Sequence, residues 1–218
     1  MTNMSIPEKY RAVLALGSNL GDSEDIIEEA VAQLQTLDMR LIALSGLYAT
    51  APVGGPEQPD YINAVIEVAT DLDPYELLAA CHRVEQAHRR TREVRWGPRT
   101  LDIDIIAIEQ RMPEPAEGAE EIETQWEPLL STDPVLTLPH PRARERAFVL
   151  VPWAEANPQA LLPISPDRKV AVVHQAYVVS RADEAAGQNA VTDLRGMCDA
   201  CIDPAYAEPL PSLDSAEE

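Results

Sequence analysis

The sequence predicts an α+β fold in which strands and helices follow one another in the order β-α-β-β-α-β. Apolar residues recur at alternate positions in some segments, as in strands, and at helical spacing in others. Glycine and proline separate these segments. A chain of 218 residues with 45% apolar residues can bury a packed core, although only 5% are aromatic, so aliphatic side chains must fill it.

The first half of the chain supplies most of this order. Residues 11–18 read as a strand that runs into a glycine-containing turn, where Asp22 or Ser23 can cap a helix whose apolar positions extend from Ile26 to Leu34. Residues 39–49 read as a second strand, followed by a loop of proline and glycine up to residue 59. A loop of that length between strands is commonly functional, and the alternative is a plain connector.

A third strand, a helix and a fourth strand complete the pattern. Residues 60–70 alternate as a strand does, and Asp73-Pro74 gives the N-cap and first position of a helix that reaches about residue 88. A short basic loop, residues 89–95, leads to a turn and an isoleucine-rich strand at residues 102–108. This order of elements is that of a ferredoxin-like βαββαβ sandwich.

The rest of the chain is expected to add C-terminal elements to one domain, residues 10–180. An acidic and partly disordered insertion interrupts it at about residues 109–134. A helix is expected at residues 142–156 and a last strand within residues 169–179. Residues 181–218 are acidic and predicted to be a disordered tail.

Charge and hydropathy argue against binding to nucleic acid and to membranes. The net charge is −20, and residues 109–133 and 181–218 each contribute −7 of it. Such acidity argues against general binding of nucleic acid. No apolar run is long enough for a transmembrane helix and no signal peptide is evident, so we expect a cytoplasmic protein without a membrane partner.

The number and spacing of the cysteines favour the reducing cytoplasm. Three cysteines, of which Cys198 and Cys201 lie close together, do not make a disulfide framework. A zinc site usually needs four ligands, and no second pair accompanies these two, so metal binding there is not expected.

The segment that carries the chemistry is Arg95-Trp96-Gly97-Pro98-Arg99-Thr100-Leu101-Asp102-Ile103-Asp104. On a strand, Asp102 and Asp104 point to the same face with Cα atoms roughly 6.5–7 Å apart. Two carboxylates there can hold Mg²⁺, which takes its remaining ligands from water and substrate phosphates. Arg95 and Arg99 can bind phosphate oxygens from the adjoining turn. The alternative is a strand with two solvated acids beside a basic loop.

Tyr61 and Asn63 suggest a site for a flat heterocycle. They share one face of a strand, and together they offer an aromatic plane beside an amide edge. The same pair could also be an ordinary feature of an edge strand.

These segments carry a family resemblance. Arg-Trp-Gly-Pro-Arg-Thr-Leu-Asp-Ile-Asp-Ile-Ile resembles the signature of the 6-hydroxymethyl-7,8-dihydropterin pyrophosphokinases of folate synthesis. Leu-Gly-Ser-Asn-Leu-Gly-Asp, Pro-Asp-Tyr-Ile-Asn-Ala and the segment around Leu-Pro-His-Pro-Arg are similar to further motifs of that family. The resemblance covers roughly residues 10–165.

The resemblance implies an enzyme that transfers pyrophosphate from ATP to the hydroxymethyl group of the dihydropterin and releases AMP. It implies ATP and the pterin as ligands, two Mg²⁺ ions, and other enzymes of folate synthesis as partners. The metal ligands would be Asp102 and Asp104, and the catalytic cations Arg90, Arg92 and Arg99. The nucleotide would contact Glu85, Trp96, Ile105, Thr137, His140 and Arg146. The pterin would contact Thr50, Val53, Tyr61, Asn63 and Phe148.

Two other interpretations fit part of the pattern. A nucleotide-binding regulator on the same fold would have no need of both aspartates and every signature arginine. A two-metal nuclease would use the aspartate pair, but it fits neither the Tyr61–Asn63 pair nor the acidic composition.

Overall fold

The computed structural model describes residues 8–52, 58–88, 100–113, 125–165, 168–185 and 192–193. The strands are β1 (Tyr10–Ser18), β2 (Met39–Leu44), β3 (Tyr48–Thr50), β4 (Tyr61–Thr70), β5 (Asp102–Arg111), β6 (Trp126–Pro128), β7 (Ser131–Thr132), β8 (Thr137–Leu138), β9 (Leu161–Ser165), β10 (Arg168–Ala171) and β11 (Thr192–Asp193). The helices are α1 (Ser23–Gln35), α2 (Pro74–Ala87), α3 (Ala147–Ala156) and α4 (Val172–Ala185), with one 3₁₀ turn at Ala143–Glu145.

The fold is a mixture of helices with an antiparallel sheet, as predicted. The main sheet has the strand order β11-β3-β4-β1-β5-β6, and β2 also pairs with β4. β1 lies at the centre, antiparallel to β4 on one side and to β5 on the other. β9 pairs with β10, and β7 pairs with β8, as two small separate sheets.

Two apolar cores lie on opposite faces of this sheet because strand side chains alternate. One core joins β1 residues such as Leu14 and Leu16 to the stripes of α1 and α2 predicted from periodicity. The other joins Val65 and Ile106 to α3 and α4. Burial of a leucine such as Leu14, which is 0% exposed, stabilises the fold by about 1.5–3 kcal/mol.

The start of α2 is fixed by a capping box. The Asp73 carboxylate accepts hydrogen bonds from the backbone N–H groups of Tyr75 and Glu76, both at 2.9 Å, and Glu76 Oε2 accepts from the Asp73 N–H. Such a box satisfies N–H groups that the helix itself cannot pair. It therefore sets where the α2 side chains project.

The prediction of one strand over residues 39–49 was wrong. β2 ends at Leu44, and β3 begins at Tyr48 after a bend. The Ser45 hydroxyl accepts from the Val65 N–H at 2.9 Å, and the Gly46 N–H donates to Glu155 at 2.7 Å. Together with the Ser45 N–H, which donates to the Val65 carbonyl at 2.9 Å, these contacts hold the bend, and a pattern of apolar residues does not reveal them.

The prediction of a continuous helix over residues 142–156 was also wrong. The 3₁₀ turn ends before Arg146, whose backbone is extended (φ −115°, ψ 102°), and α3 begins only at Ala147. Arginine has good helix propensity, so composition could not reveal this break.

The C-terminal part differs from expectation in three places. Strand β10 ends at Ala171, and residues 172–185 are helical because Val172 and Ala176, four positions apart, are buried in the second core. Residues 181–185 are thus not a disordered tail, and Thr192–Asp193 pair with β3. The expected insertion contains the end of β5 and strands β6 and β7; residues 114–124 and 194–218 lie outside the described residues.

Candidate functional site

A cavity of about 290 Å³ lies beside the first half of β5. Its described lining comes from three places: α2, the start of β5, and the segment 134–141 that includes β8. It brings together six residues that the sequence predicted for nucleotide or metal, namely Glu85, Asp102, Asp104, Ile105, Thr137 and His140. Among the described residues, β6 pairs only with residues 109–111 of β5, so the first half of β5 remains beside the cavity.

The cavity lies along the edge of β5, since four consecutive residues of this strand, Asp102 to Ile105, line it. Leu101, Ile103 and Ile105 are 5% exposed or less, whereas Asp102 and Asp104 are only half-buried, so the aspartates are the more accessible β5 residues of the lining. Asp104 is 42% exposed, and its Oδ2 lies 3.5 Å from an Arg146 guanidinium nitrogen. The pair thus presents carboxylate oxygens at the entry of a strand whose other face is anchored in the core.

Glu85 is a buried carboxylate on the α2 wall. It is 2% exposed, and its Oε1 accepts a hydrogen bond from the Ile103 N–H at 2.9 Å. That N–H lies between the two aspartates in sequence, so Glu85 fixes α2 against the strand segment that carries them. Without this bond a buried donor would be unsatisfied, at a cost of about 1–3 kcal/mol.

His140 is held with one nitrogen already engaged. Its backbone N–H donates to the Ile106 carbonyl at 2.8 Å, and its Nδ1 accepts from the Arg142 N–H at 3.2 Å. Burial lowers the pKa of His140, and the cations Arg146 and Arg142 lower it further, while the charge of Asp104 opposes them. A neutral imidazole that accepts at Nδ1 carries its proton on Nε2, so His140 can donate from that atom.

Arg146 lies between an acid and an aromatic ring. Its guanidinium contacts Asp104, and its Cζ lies 5.5 Å from the centroid of the Phe148 ring. The extended backbone at Arg146 and the helix start at Ala147 place the two side chains together. The arginine side chain is 22% exposed, so the acid and the ring hold it in a partly buried position beside Asp104.

A second cluster contains the residues predicted to bind a heterocycle. Asn63 is 6% exposed, and its Nδ2 donates to Thr50 Oγ1 at 2.9 Å and, over a longer distance of 3.4 Å, to the Tyr48 carbonyl. The Tyr61 hydroxyl donates to Gln58 Oε1 at 3.4 Å. With the amide N–H groups of Asn63 engaged, its Oδ1 is the atom suited to accept from a ligand.

The two clusters lie in one row across the sheet. Gly17 on β1 is the register partner of Asn63 on β4 and of Asp102 on β5. Directly opposed residues share a face, so Asn63 and Asp102 flank a position with no side chain, roughly 9–10 Å apart across two strand spacings. A Cβ at Gly17 would lie 3.3 Å from Asn63 Oδ1, so glycine at this position leaves room for the Asn63 amide.

Some predictions cannot be compared with the structure. Val53, Arg90, Arg92, Trp96 and Arg99 lie outside the described residues. Neither Tyr61 nor Asn63 is among the described residues that line the cavity at β5, so the cavity itself does not join the two clusters.

Sequence reasoning missed residues that act through their neighbours. Tyr48 is 1% exposed and donates from its hydroxyl to Glu155 at 2.8 Å, while its carbonyl contacts Asn63. Asn19 donates to the Pro59 carbonyl at 3.1 Å and so ties the β1–α1 turn to the loop before β4. Both contacts join residues that are distant in sequence, so local patterns do not reveal them. The one weak sign in the sequence is an aromatic residue, Tyr48, two positions before the predicted ligand contact Thr50.

The donor set suits a magnesium ion that also binds a phosphate ligand. The described residues contain no group of three or more histidine, cysteine or acidic side chains arranged to hold a metal. Two carboxylates on an accessible cavity wall are the ligands that Mg²⁺ uses when water and phosphate oxygens complete its shell. Asp102 and Asp104 therefore fit Mg²⁺ better than a metal that needs a full set of protein ligands.

Comparisons with known proteins identify the family of the chain. The family profile of 7,8-dihydro-6-hydroxymethylpterin-pyrophosphokinase (HPPK) matches residues 13–158. The 2-amino-4-hydroxy-6-hydroxymethyldihydropteridine pyrophosphokinase of Bacillus subtilis is 42% identical over 145 residues, 66% of this chain and 76% of its own. The enzyme of that name from Methylorubrum extorquens is 41% identical over 153 residues, 70% of this chain and 85% of its own.

A solved structure shares the fold. The crystal structure of Plasmodium falciparum HPPK-DHPS with pterin and p-hydroxybenzoate aligns with a TM-score of 0.57 at 15% identity. The alignment covers 88% of this chain, which spans about half of that protein (50%).

Proposed function

Because the chain belongs to the 7,8-dihydro-6-hydroxymethylpterin-pyrophosphokinase family, we infer that it transfers a pyrophosphoryl group from ATP to 6-hydroxymethyl-7,8-dihydropterin. The products are AMP and the pyrophosphorylated pterin, and the reaction belongs to folate biosynthesis. The chain is thus a transferase of the pyrophosphokinase type, with ATP as co-substrate.

The observation that carries the assignment of residues is the row formed by Asn63, Gly17 and Asp102. It supports a geometry in which the pterin lies against Asn63 and the triphosphate lies against Asp102. The gap of roughly 9–10 Å between these strands is wide enough for a bicyclic ring, its hydroxymethyl group and a phosphoryl group. Holding both substrates in one row would replace a bimolecular encounter by an oriented one, an effect of about 7–11 kcal/mol at most.

On the β4 side we propose that Asn63 recognises the pterin edge. Its Nδ2 is occupied by Thr50, which leaves Oδ1 to accept from a ring N–H or amino group. Tyr61 and Phe148 would contact the two faces of the ring, and Val53 would add a backbone contact. Offset stacking of aromatic rings contributes about 0.5–1.5 kcal/mol beyond the area buried.

On the β5 side we propose that the cavity binds the nucleotide. Ile105 and Thr137 would contact the base and its sugar together with Trp96, and Glu85 would fix the wall that carries them. His140 would donate from Nε2 to a phosphate oxygen. Arg146 would exchange its contact with Asp104 for phosphate oxygens, because a guanidinium binds them through paired hydrogen bonds.

Asp102 and Asp104 would hold Mg²⁺, and we propose two ions between the protein and the triphosphate. Bound there, the ions draw charge from the phosphoryl oxygens and help align the attacking hydroxyl. Arg90, Arg92 and Arg99 would stabilise the charge that develops on the transferred and leaving groups. These roles follow from the signature sequence alone.

The surroundings of the site support two further proposals. We propose a ferredoxin-like core within residues 10–180, and the strand order β3-β4-β1-β5 with α1 and α2 on one face supports it once β11 and β6 are set aside. Other folate enzymes are proposed as partners, since in HPPK-DHPS the matched part is joined to a second part in one chain.

The test is a coupled assay for AMP with ATP, Mg²⁺ and the pterin alcohol. We expect AMP only when the pterin is present and no AMP when Mg²⁺ is removed with a chelator. Formation of ADP in place of AMP, or ATP turnover that is indifferent to the pterin, would reject the proposal. An Asp102→Asn variant, nearly identical in shape, separates the contribution of the site from that of a contaminating enzyme.

A further inference from the structure

Two of the three parts of the chain that line the proposed nucleotide cavity, α2 and the segment after β7, form walls on either side of β5. One is α2, which contributes Leu78, His82 and Glu85. The other is the tip of the β7–β8 hairpin, where residues 134–137 line the cavity. The hairpin is a two-residue ladder, and its exposed tip includes Val135, which is 67% exposed. Leu136 and Leu138 are buried in the same apolar core as the inner face of α2, which holds the inner ends of the two walls together, whereas the exposed tip lies outside that core.

A hydrogen bond joins the walls at their outer end. The Tyr75 hydroxyl on α2 donates to Asp133 Oδ2 at 2.7 Å. Tyr75 precedes Leu78, His82 and Glu85 by 3, 7 and 10 positions, so it belongs to the helix face that lines the cavity. Asp133 immediately precedes the hairpin residues that form the other wall.

Asp133 also organises the hairpin tip. Its Oδ1 accepts from the Val135 N–H at 2.8 Å, and its carbonyl accepts from the Leu136 N–H at 3.1 Å and from the Thr137 hydroxyl at 2.9 Å. One residue thus holds the tip in shape and connects it to α2. The bond raises the pKa of Tyr75 and lowers the pKa of Asp133, as expected when a phenol donates to a carboxylate.

We propose that Tyr75 and Asp133 form a clasp that sets the width of the cavity and positions its two walls on the nucleotide base. The proposal rests on the assignment of this cavity to ATP. Neither residue contacts the reacting atoms, so both are positioning residues. The clasp lies in solvent, where such bonds are weak, and the effect should appear in nucleotide affinity and not in the chemical step.

The direct test is Tyr75→Phe, which removes only the hydroxyl. We expect the KM for ATP to rise by about threefold to tenfold, with kcat and the KM for the pterin unchanged within twofold. Asp133→Ala should raise the KM further, because it also removes the bond to the Val135 N–H. The double variant should be no worse than Asp133→Ala alone, since the two residues act through one bond.

Tyr10→Phe is the matched control. Tyr10 begins β1, eight positions from the Gly17–Ser18 end that lies beside Asp102, and within the described residues its hydroxyl has no hydrogen bond. It should leave both KM values unchanged. Equal effects of Tyr75→Phe on ATP and pterin, an unchanged KM for ATP, or additive effects in the double variant would each overturn the clasp.

Calorimetric binding of Mg²⁺–ADP separates this proposal from the function itself. If the wild-type chain makes no AMP but binds Mg²⁺–ADP more tightly than Tyr75→Phe does, the reaction is wrong and the clasp stands. If the wild type is active and both proteins bind Mg²⁺–ADP equally, the clasp is wrong and the reaction stands.

Discussion

Replacing Thr50 by valine tests how the protein orients Asn63. Valine keeps the shape of threonine but removes the Oγ1 that accepts from Asn63 Nδ2 at 2.9 Å. The amide would then keep only longer contacts, 3.4 Å to the Tyr48 carbonyl and 3.5 Å to the Tyr61 carbonyl. With its strongest anchor lost, the amide can rotate and present Nδ2 where the pterin needs an acceptor.

The expected magnitude follows from burial. Asn63 is 6% exposed, so water cannot fully replace the lost acceptor. An unsatisfied buried donor costs about 1–3 kcal/mol of unfolding free energy, which lowers the thermal midpoint by about 2–4 °C per kcal/mol for a chain of this size. Loss of one oriented hydrogen bond to the pterin should raise its KM by about 5- to 30-fold, equivalent to about 1–2 kcal/mol.

Steady-state AMP release, with each substrate varied in turn, measures the effect. The KM for ATP should stay within twofold of the wild-type value, because Thr50 lies on the β4 side of the row. Thr36→Val is a matched control: it also removes a threonine hydrogen bond, 2.7 Å to the Gln33 carbonyl, at the exposed end of α1. A larger rise in the KM for ATP than for the pterin would refute the reasoning.

Three further predictions concern β5 and the helix α2 that packs against it. Asp102→Asn and Asp104→Asn should each lower kcat by about a thousandfold, since metal ions supply several kcal/mol of charge stabilisation, and calorimetry should show weaker Mn²⁺ binding to a chain that remains folded. Glu85→Ala should lower the free energy of unfolding, measured in urea, by about 1–3 kcal/mol, because the Ile103 N–H loses its acceptor. Glu85→Gln should lower that free energy less, because an acceptor oxygen remains. Burial, reinforced by the charge of Glu85, raises the pKa of Cys81 to about 12. In a variant whose other cysteines are replaced by serine, a disulfide reagent at pH 8 should therefore label Cys81 only after unfolding, and rapid labelling of the folded chain would contradict this.

The sequence predicted the central elements because their patterns are strong. The apolar stripe of α1, the N-cap and proline at Asp73-Pro74 and the alternation of β5 are local signals, and each element appears in the structure close to its expected bounds. Prediction failed where a distant residue decides the local backbone. Glu155 binds Gly46 at the β2–β3 bend from 109 positions away, and no local pattern encodes that contact.

The candidate site was predictable in its residue types and less so in its geometry. Asp102, Asp104 and Asn63 stand out because their chemistry is unusual for buried strands. Their common row across Gly17 depends on the register of three strands, which periodicity does not fix. The clasp between Tyr75 and Asp133 was hidden for a different reason, since Asp133 lies in a segment that composition assigned to an acidic insertion.

The short strand β11 has a practical consequence for protein production. It covers the outer side of β3, the strand that contains Tyr48 and Thr50. A strand whose N–H and C=O groups are unpaired recruits strands from other molecules and so promotes aggregation. A shortened version designed for crystallisation or ligand screening should therefore keep residues through Asp193. A cut after α4 would leave the outer edge of β3 unpaired, next to the residues predicted to bind the pterin.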